Sequence, residues 1–485
     1  MDFTFPRTVL AEHCIIIDMS PKPTFTSVIA NRSFRFLWIN QVLIQLAYNT
    51  LNFALIIWVY KLTDSNFAVS ALLLAVYLPS FLLGLVAGVL VDLTDKRKII
   101  LIIDLLLALS FLVFIFVKDV YWLILLNTFF INSLAQFFMP TESSAIPLVI
   151  SRKQLLIANS LFSLTLYGAF MVGFSLAGPI LGNLGINAIF LLGFSTMVLA
   201  FGLSLYLPTI RAKRKERLRD FLSLDGLSRL IILTISEVRL TFNFIYGKLN
   251  ILVAIGILSA VQGMIGILAV LISSYMERVL RIHATDASFF LMIPLGLGMI
   301  TGALFIGKFA VGLPKRILVI PGIVITGLIF IMMGIIPGAA SYLQAVDLPS
   351  YTSYIPRLRF FSNVPTLSMI FAIGAYILGL ASVSIIIPAQ TIIQEHTDEK
   401  IRGKIFAVLV VMMNLFASIP VLLAGALSDL FGVIPIFLSL GSLICGIGVV
   451  ALKPQLFFKK TQLPLRVREF LGLGHWDVTE KSPTY

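Results

Sequence analysis

Charge is what this sequence has least of. Only 12% of its 485 residues are Asp, Glu, Lys or Arg, where a soluble globular chain carries about a quarter. So few charges cannot cover the water-facing surface of a protein this size. With 59% of residues hydrophobic and a mean hydropathy of +1.02, lipid must be the solvent for most of that surface. Cysteine is equally scarce: Cys14 and Cys445 lie far apart, which implies no disulfide framework. The four histidines, His13, His283, His396 and His475, are not spaced with Cys or each other as metal ligands, so no metal is expected. Neither H-E-x-x-H nor G-x-S-x-G occurs, and no catalytic residue, enzyme activity or cofactor is expected. Gly302-Ala-Leu-Phe-Ile-Gly307-Lys308 nearly spells a phosphate-binding loop, but Phe309 stands where Ser or Thr would hold magnesium. Its glycines read better as helix packing and Lys308 as a side chain snorkelling to the surface. A signal peptide is not expected either, because Cys14–Ile17 is too short an apolar core and Asp18 ends it.

What the chain has is long apolar runs. A membrane span needs about 20 mainly apolar residues, and twelve such runs are present: 36–60, 68–91, 99–117, 120–140, 157–182, 186–207, 249–274, 286–310, 316–337, 365–389, 402–427 and 431–452. The fifth and sixth are separated by a short turn at Gly182-Asn183-Leu184-Gly185. Lys and Arg are unevenly divided among the connections. With the N-terminus placed inside, 30 fall on the inner side and 6 on the outer, a strong positive-inside bias. The net charge of +13 therefore points to anionic lipid headgroups and not to nucleic acid. The expected organisation is a cytoplasmic segment 1–35, a six-helix bundle 36–208, a cytoplasmic linker 209–248, a second six-helix bundle 249–452 and a cytoplasmic tail 453–485. Within the linker, apolar residues interleaved with Arg229, Glu237 and Arg239 suggest an interfacial helix over 221–246. The aromatic-rich outer loop 338–364 suggests a cap at the membrane interface.

The sequence is organised around Gly88-Val-Leu-Val-Asp92-Leu-Thr-Asp95-Lys96-Arg97-Lys98. This charged turn between two membrane-length runs must lie at a water boundary, and its three bases mark that boundary as cytoplasmic. It resembles the G-x-L-a-D-r-x-G-r-k loop between the second and third helices of the major facilitator superfamily. Gly88, Leu90, Asp92, Lys96 and Arg97 match; Leu93 and Asp95 depart from it. Gly173-Phe-Ser-Leu-Ala-Gly178-Pro179-Ile-Leu-Gly182 reads as helix packing by itself and is also similar to the glycine-proline motif of the superfamily's exporters. Phe137–Pro147, Gln154–Ser160, Pro388–Glu395 and Ile401–Phe406 resemble the branch that holds macrolide efflux proteins and the enterobactin exporter. The resemblance starts near Thr24, which makes Met19 a candidate start. It implies an all-α polytopic fold of twelve transmembrane helices in two six-helix bundles, with alternating access by rocking. It also implies a cytoplasmic gate at Gly88, Asp92, Lys96 and Arg97, with Glu142 and Arg402 as partners.

Polar residues inside the spans are the remaining candidates. Gln41, Gln45, Tyr48, Asn49 and Asn52 share one face of the first helix. Such a stripe either lines a wet cavity or holds helices together, and interhelical polar bonds average only about 0.6 kcal/mol. Asn132, Gln136, Tyr167 and Gln262 are its candidate companions in a substrate cavity. Asp104 is the clearest carboxylate within a span. It is either an acid favoured by the start of its helix and paired with a nearby base, or a proton carrier. The sequence thus points to a secondary transporter of a bacterial cytoplasmic membrane. It is expected to be a monomer that exports a small amphipathic or hydrophobic drug or siderophore, by proton antiport in one reading. A lipid or lysophospholipid transporter of the same fold and a non-transporting membrane sensor are the alternatives.

Overall fold

A computed structural model of the chain describes residues 24–151, 154–209, 245–309, 315–345, 364–395, 397 and 399–452. The expected interfacial helix, most of the outer cap and both terminal segments lie outside these residues. Twelve described helices are long and apolar enough to cross a membrane. In the first half they are α1 (Arg32–Thr63), α2 (Asn66–Leu93), α3 (Lys96–Val117), α4 (Tyr121–Val149), α5 (Leu155–Leu184) and α6 (Ile186–Ser204). In the second they are α7 (Leu249–Ser274), α8 (Ile293–Phe309), α9 (Lys315–Ala345), α10 (Val364–Glu395), α11 (Glu399–Phe431) and α12 (Val433–Leu452). Large apolar side chains such as Phe116, Trp122 and Leu430 stand exposed on the outside of these helices. Every backbone polar group in hydrocarbon needs an internal partner, which a helix supplies.

The helices begin and end where local chemistry dictates. Asn31 accepts a hydrogen bond from the Phe34 amide to start α1, and Asp64, in the left-handed region at φ 50°, ends it. Ser65 caps α2 and Asp95 caps α3 through the Arg97 amide. Both fifth-to-sixth breaks are glycines with positive φ, Gly185 at 79° and Gly432 at 84°. A residue with a Cβ is disfavoured there. The helices mostly outrun the apolar runs that mark them. α4 continues past residue 140 to Val149 with Pro140 and Pro147 inside it. A membrane helix tolerates proline where neighbouring groups satisfy the freed carbonyl. The eighth run is subdivided: a 3₁₀ turn at Ala284–Asp286 and a π turn at Ser288–Met292 precede α8.

The two halves use one pairing scheme. The first helix packs on the fifth (α1 on α5, α7 on α11), the second on the fourth (α2 on α4, α8 on α10) and the third on the sixth (α3 on α6, α9 on α12). The halves join crosswise, α2 against α11 and α5 against the turns leading into α8. The helix ends that carry the described bases Lys96, Arg97, Lys98, Lys315 and Arg316 lie at one end of this assembly, called here the base-rich face.

Candidate functional site

A cavity of ≈ 270 Å³ lies between the halves. Tyr48, Asn49 and Asn52 reach it from α1, Tyr77 from α2, Phe170 and Phe174 from α5, and Gln262 from α7. Most of its remaining wall is aliphatic or methionine, with Met264, Met292 and Met299 among the contributors. No acid or base is among the described residues that line it. Such a lining recognises a ligand by shape, by aromatic and thioether contact and by a few amide or hydroxyl hydrogen bonds.

The polar face of α1 divides at this cavity. Tyr48 donates its hydroxyl hydrogen to Asn132 Oδ1, and Asn49 turns its amide onto the Gln45 carbonyl, 2.7 Å away. Gln41 and Gln45 point elsewhere: Gln41 donates to the Phe162 carbonyl at 3.4 Å, and Gln45 lies 4.0 Å from Met139 Sδ. Asn132 and Gln136 bond to carbonyls of their own helix, at Thr128 (2.8 Å) and Asn132 (3.3 Å). Neither is in the cavity wall; Asn132 holds the Tyr48 hydroxyl there, and Gln136 lies near Gly84 of α2. The Tyr167 side chain lies outside the described residues. Tyr77, Phe170, Phe174 and the three methionines were not singled out by sequence, because in an apolar helix they look like any packing residue.

The described hydrogen bonds that join the halves are gathered at the end opposite the base-rich face and near the middle. Asp429, late in α11, accepts from Ser65 Oγ (2.6 Å), the Asn66 amide (2.8 Å) and the Phe67 amide (3.0 Å) at the start of α2. Its charge sits where the helix dipole favours an anion. Arg278 pairs with Asp64 at 2.7 Å. In α5 the Gly178 amide donates to Ser288 Oγ at 2.9 Å, and Ser288 donates to the Phe174 carbonyl. A Cβ on Gly178 would stand 2.1 Å from the Thr285 carbonyl, so this contact requires glycine. Of its motif companions, Gly173 meets Asn49 and Thr50 of α1, Gly182 is in ordinary contact with Thr285, and Pro179 lies inside α5. Nearer the middle, Asn414 donates to Ser80 Oγ at 2.9 Å.

The base-rich face is different. Nothing lies within 4 Å of where a Cβ on Gly88 would stand. Lys96 is buried and donates to the Val91 carbonyl, while Arg97 donates to the Leu205 carbonyl at 2.6 Å. These contacts stay inside the first half. The side chains of Asp92 and Arg402 lie outside the described residues. Glu142, expected as a gate partner, is 2% exposed and buried within the first bundle. Asp104 is also within it, at 0% exposure, and accepts from Asn40 Nδ2 (2.9 Å) and Ser204 Oγ (2.5 Å). Its described partners are an amide and a hydroxyl, not the base that one reading of the sequence expected.

Two six-helix halves around a central cavity are a fold shared with known proteins. No curated protein is significantly similar to the chain in sequence. In fold it is similar to a POT family transporter in complex with 5-aminolevulinic acid, at TM-score 0.64 and 13% identity, covering 89% of this chain and 97% of that one. It is similar to the nucleoside transporter NupG at TM-score 0.60 and 12% identity, covering 86% and 97%. An auto-inhibited POT family peptide transporter gives TM-score 0.63 and 11% identity over 93% and 99%. The sequence profile of the Major Facilitator Superfamily matches residues 37–355. The chain belongs to that superfamily and is a multi-pass membrane transporter.

Proposed function

We propose that this protein exports a small amphipathic or hydrophobic compound, a drug or a siderophore, by alternating access. In this reading it works as a monomer in a bacterial cytoplasmic membrane, with both termini and the base-rich face inside against anionic headgroups. Its place in the branch of macrolide efflux proteins and the enterobactin exporter is part of the same proposal. The observation that carries it is the uncharged cavity of ≈ 270 Å³ between the halves, walled by aromatic, aliphatic and methionine side chains around Tyr48, Asn52 and Gln262. Ligand pockets span about 300–1,000 Å³, so the site suits a compact ligand in this state and a larger one only after the halves move. The described bonds between the halves at Asp429, Arg278 and Ser288 lie away from the base-rich face. This arrangement suits loading from the cytoplasm. The motif around Asp92 would then close that side, with Arg402 as its partner across the halves.

The test is flux into inverted membrane vesicles and proteoliposomes with ethidium, erythromycin, enterobactin and a lysophospholipid as probes. Export predicts accumulation of at least one of the first three under an imposed pH gradient. It also predicts a changed KM for that probe in Asn52→Leu and Gln262→Leu, with membrane insertion intact. Movement of the lysophospholipid alone would replace this reading with the lipid transporter. Movement of none of the probes would remove the reading.

A further inference from the structure

The cavity is uncharged for a reason that reaches beyond its present wall. Residues of α1, α2, α5, α7, α8, α9 and α10 line it. Between the ends of those helices, over residues 36–60, 66–91, 155–184, 249–274, 293–307, 317–345 and 364–394, the sequence has no Asp, Glu, Lys, Arg or His. The buried carboxylates Asp104 and Glu142 stand on α3 and α4, which give the cavity no wall. Rocking of the halves changes which residues of the lining helices face the cavity. It cannot bring a counter-charge from within them.

The polar side chains that do face the cavity are neutral and largely engaged. Thr326 Oγ1 donates to the Gly322 carbonyl and Ser382 Oγ to the Leu378 carbonyl, each at 2.8 Å. Asn49 gives its amide to Gln45, and Tyr48 gives its hydroxyl hydrogen to Asn132. The carboxamides of Asn52 and Gln262 remain, facing the phenols of Tyr48 and Tyr77. A carboxamide has two donor hydrogens and an acceptor oxygen, so each keeps capacity for a ligand after meeting one phenol. Rings stand beside them. The Phe170 and Phe174 centroids are 4.3 Å apart. The Tyr77 hydroxyl reaches across the halves to within 3.0 Å of where a Cβ on Gly266 would stand. An ion entering this site leaves its hydration behind and meets no opposite charge to offset the loss. The face of a ring returns only part of that cost to a desolvated cation.

We propose that the cavity takes its ligand only in an uncharged form, as a compact ring-bearing compound with a carbonyl, hydroxyl or amide group for Asn52 and Gln262. Weak bases and weak acids enter as their neutral species, and permanent cations such as ethidium are excluded. The proposal rests on the exporter reading above for the cavity's role as the substrate site, and it narrows the substrate class.

Equilibrium dialysis with the full-length protein in lipid nanodiscs tests it, using two compounds that share a ring: uncharged chloramphenicol and its deacylated primary amine. Chloramphenicol should bind with an affinity that is level between about pH 6 and about pH 9. The amine should bind at least about tenfold more weakly where it is protonated. Its affinity should rise by about tenfold per pH unit until the amine is neutral, because only the neutral fraction binds. Ethidium in excess should leave bound chloramphenicol in place. Asn52→Leu and Gln262→Leu should each weaken chloramphenicol binding by about five- to tenfold, the loss of one hydrogen bond. Equal affinity for amine and chloramphenicol at every pH, or displacement by ethidium, would overturn the exclusion of charge. Absence of binding by both chloramphenicol and the neutral amine would overturn the ligand class. Unchanged binding in both variants would put the site elsewhere and overturn the proposal as well. Failure of the exporter reading looks different: chloramphenicol binds as described, and none of the flux probes accumulates in vesicles.

Discussion

The two halves share a pairing scheme, and their second and third pairs are held by different means. In the second half these pairs approach backbone to backbone. A Cβ on Gly298 of α8 would stand 2.0 Å from the Tyr376 carbonyl of α10, and one on Gly379 would stand 2.2 Å from the Leu295 carbonyl. On the α9–α12 pair, Gly327 meets the Cys445 backbone and Gly441 meets the Ile331 amide. In the first half the same positions are held by side chains. The α2–α4 pair meets at Gly84 across ordinary distances, with Gln136 Oε1 3.4 Å from where a Cβ would stand. The α3–α6 pair stacks Phe114 on Phe190 with centroids 5.2 Å apart and adds the Asp104–Ser204 bond. In lipid there is no hydrophobic drive between helices, so close packing and polar bonds are the two means available. The second and third pairs of the second half rely on the first, with aromatic contacts such as Phe330 on Phe437 beside it. The same pairs of the first half rely more on side-chain contacts, and among the described residues the buried carboxylates are in this half.

The contrast can be broken experimentally, and the largest effect should come from the second half. Gly298→Val forces backbone apart at a site with no side chain to yield. A cost of about 3 kcal/mol, the upper end of overpacking, is expected. Thermal unfolding in detergent should show a large loss of folded protein, while Gly84→Ala in the first half stays near wild type. Equal effects would mean that the halves are not held differently.

Next in size is Asn40→Leu, which strips Asp104 of a donor while favouring membrane insertion. A loss of about 1–3 kcal/mol is expected from the unpaired buried group, read by the same unfolding measurement. Ordinary polar glue in the same bundle gives the scale for comparison. Asn127, which donates to the Ser110 carbonyl at 2.9 Å, should cost only about 0.6 kcal/mol on conversion to leucine. If both cost the same, the Asn40 bond to Asp104 is glue as well.

A smaller effect is expected where the halves meet. Asp429→Asn removes a charge from the start of α2 worth about 0.3–1 kcal/mol. That shifts the balance between sealed and opened states by about two- to five-fold. Distances between spin labels across this end would report it as a larger open fraction. Asp64→Asn should do least, a few tenths of a kcal/mol, since an exposed ion pair is worth about 0–1 kcal/mol. The Asp64 side chain is 76% exposed. A larger effect at Asp64 than at Asp429 would reverse this account of the seal.

The sequence by itself determined the number of spans, their approximate places and the charged turn between α2 and α3. Each follows from local rules: the length needed to cross hydrocarbon, and the cost of leaving charge inside it. The glycines at 185 and 432 belong to the same level, because a positive φ is a property of one residue and its neighbours. Which way a polar residue faces belongs to tertiary structure. Helical spacing puts Gln41, Gln45, Tyr48, Asn49 and Asn52 on one face of α1. Only the helices packed there decide that Gln41 meets Phe162 in α5 while Tyr48, Asn49 and Asn52 meet the cavity. Glu142 and Asp104 show the same limit. They are 38 positions apart in sequence, and nothing in either helix names the other. Both are buried in one bundle because α3 and α4 pack together, with α1 and α6 supplying Asn40 and Ser204 to Asp104. Periodicity fixes a direction around one helix axis; what stands in that direction is set by helices folded from other parts of the chain.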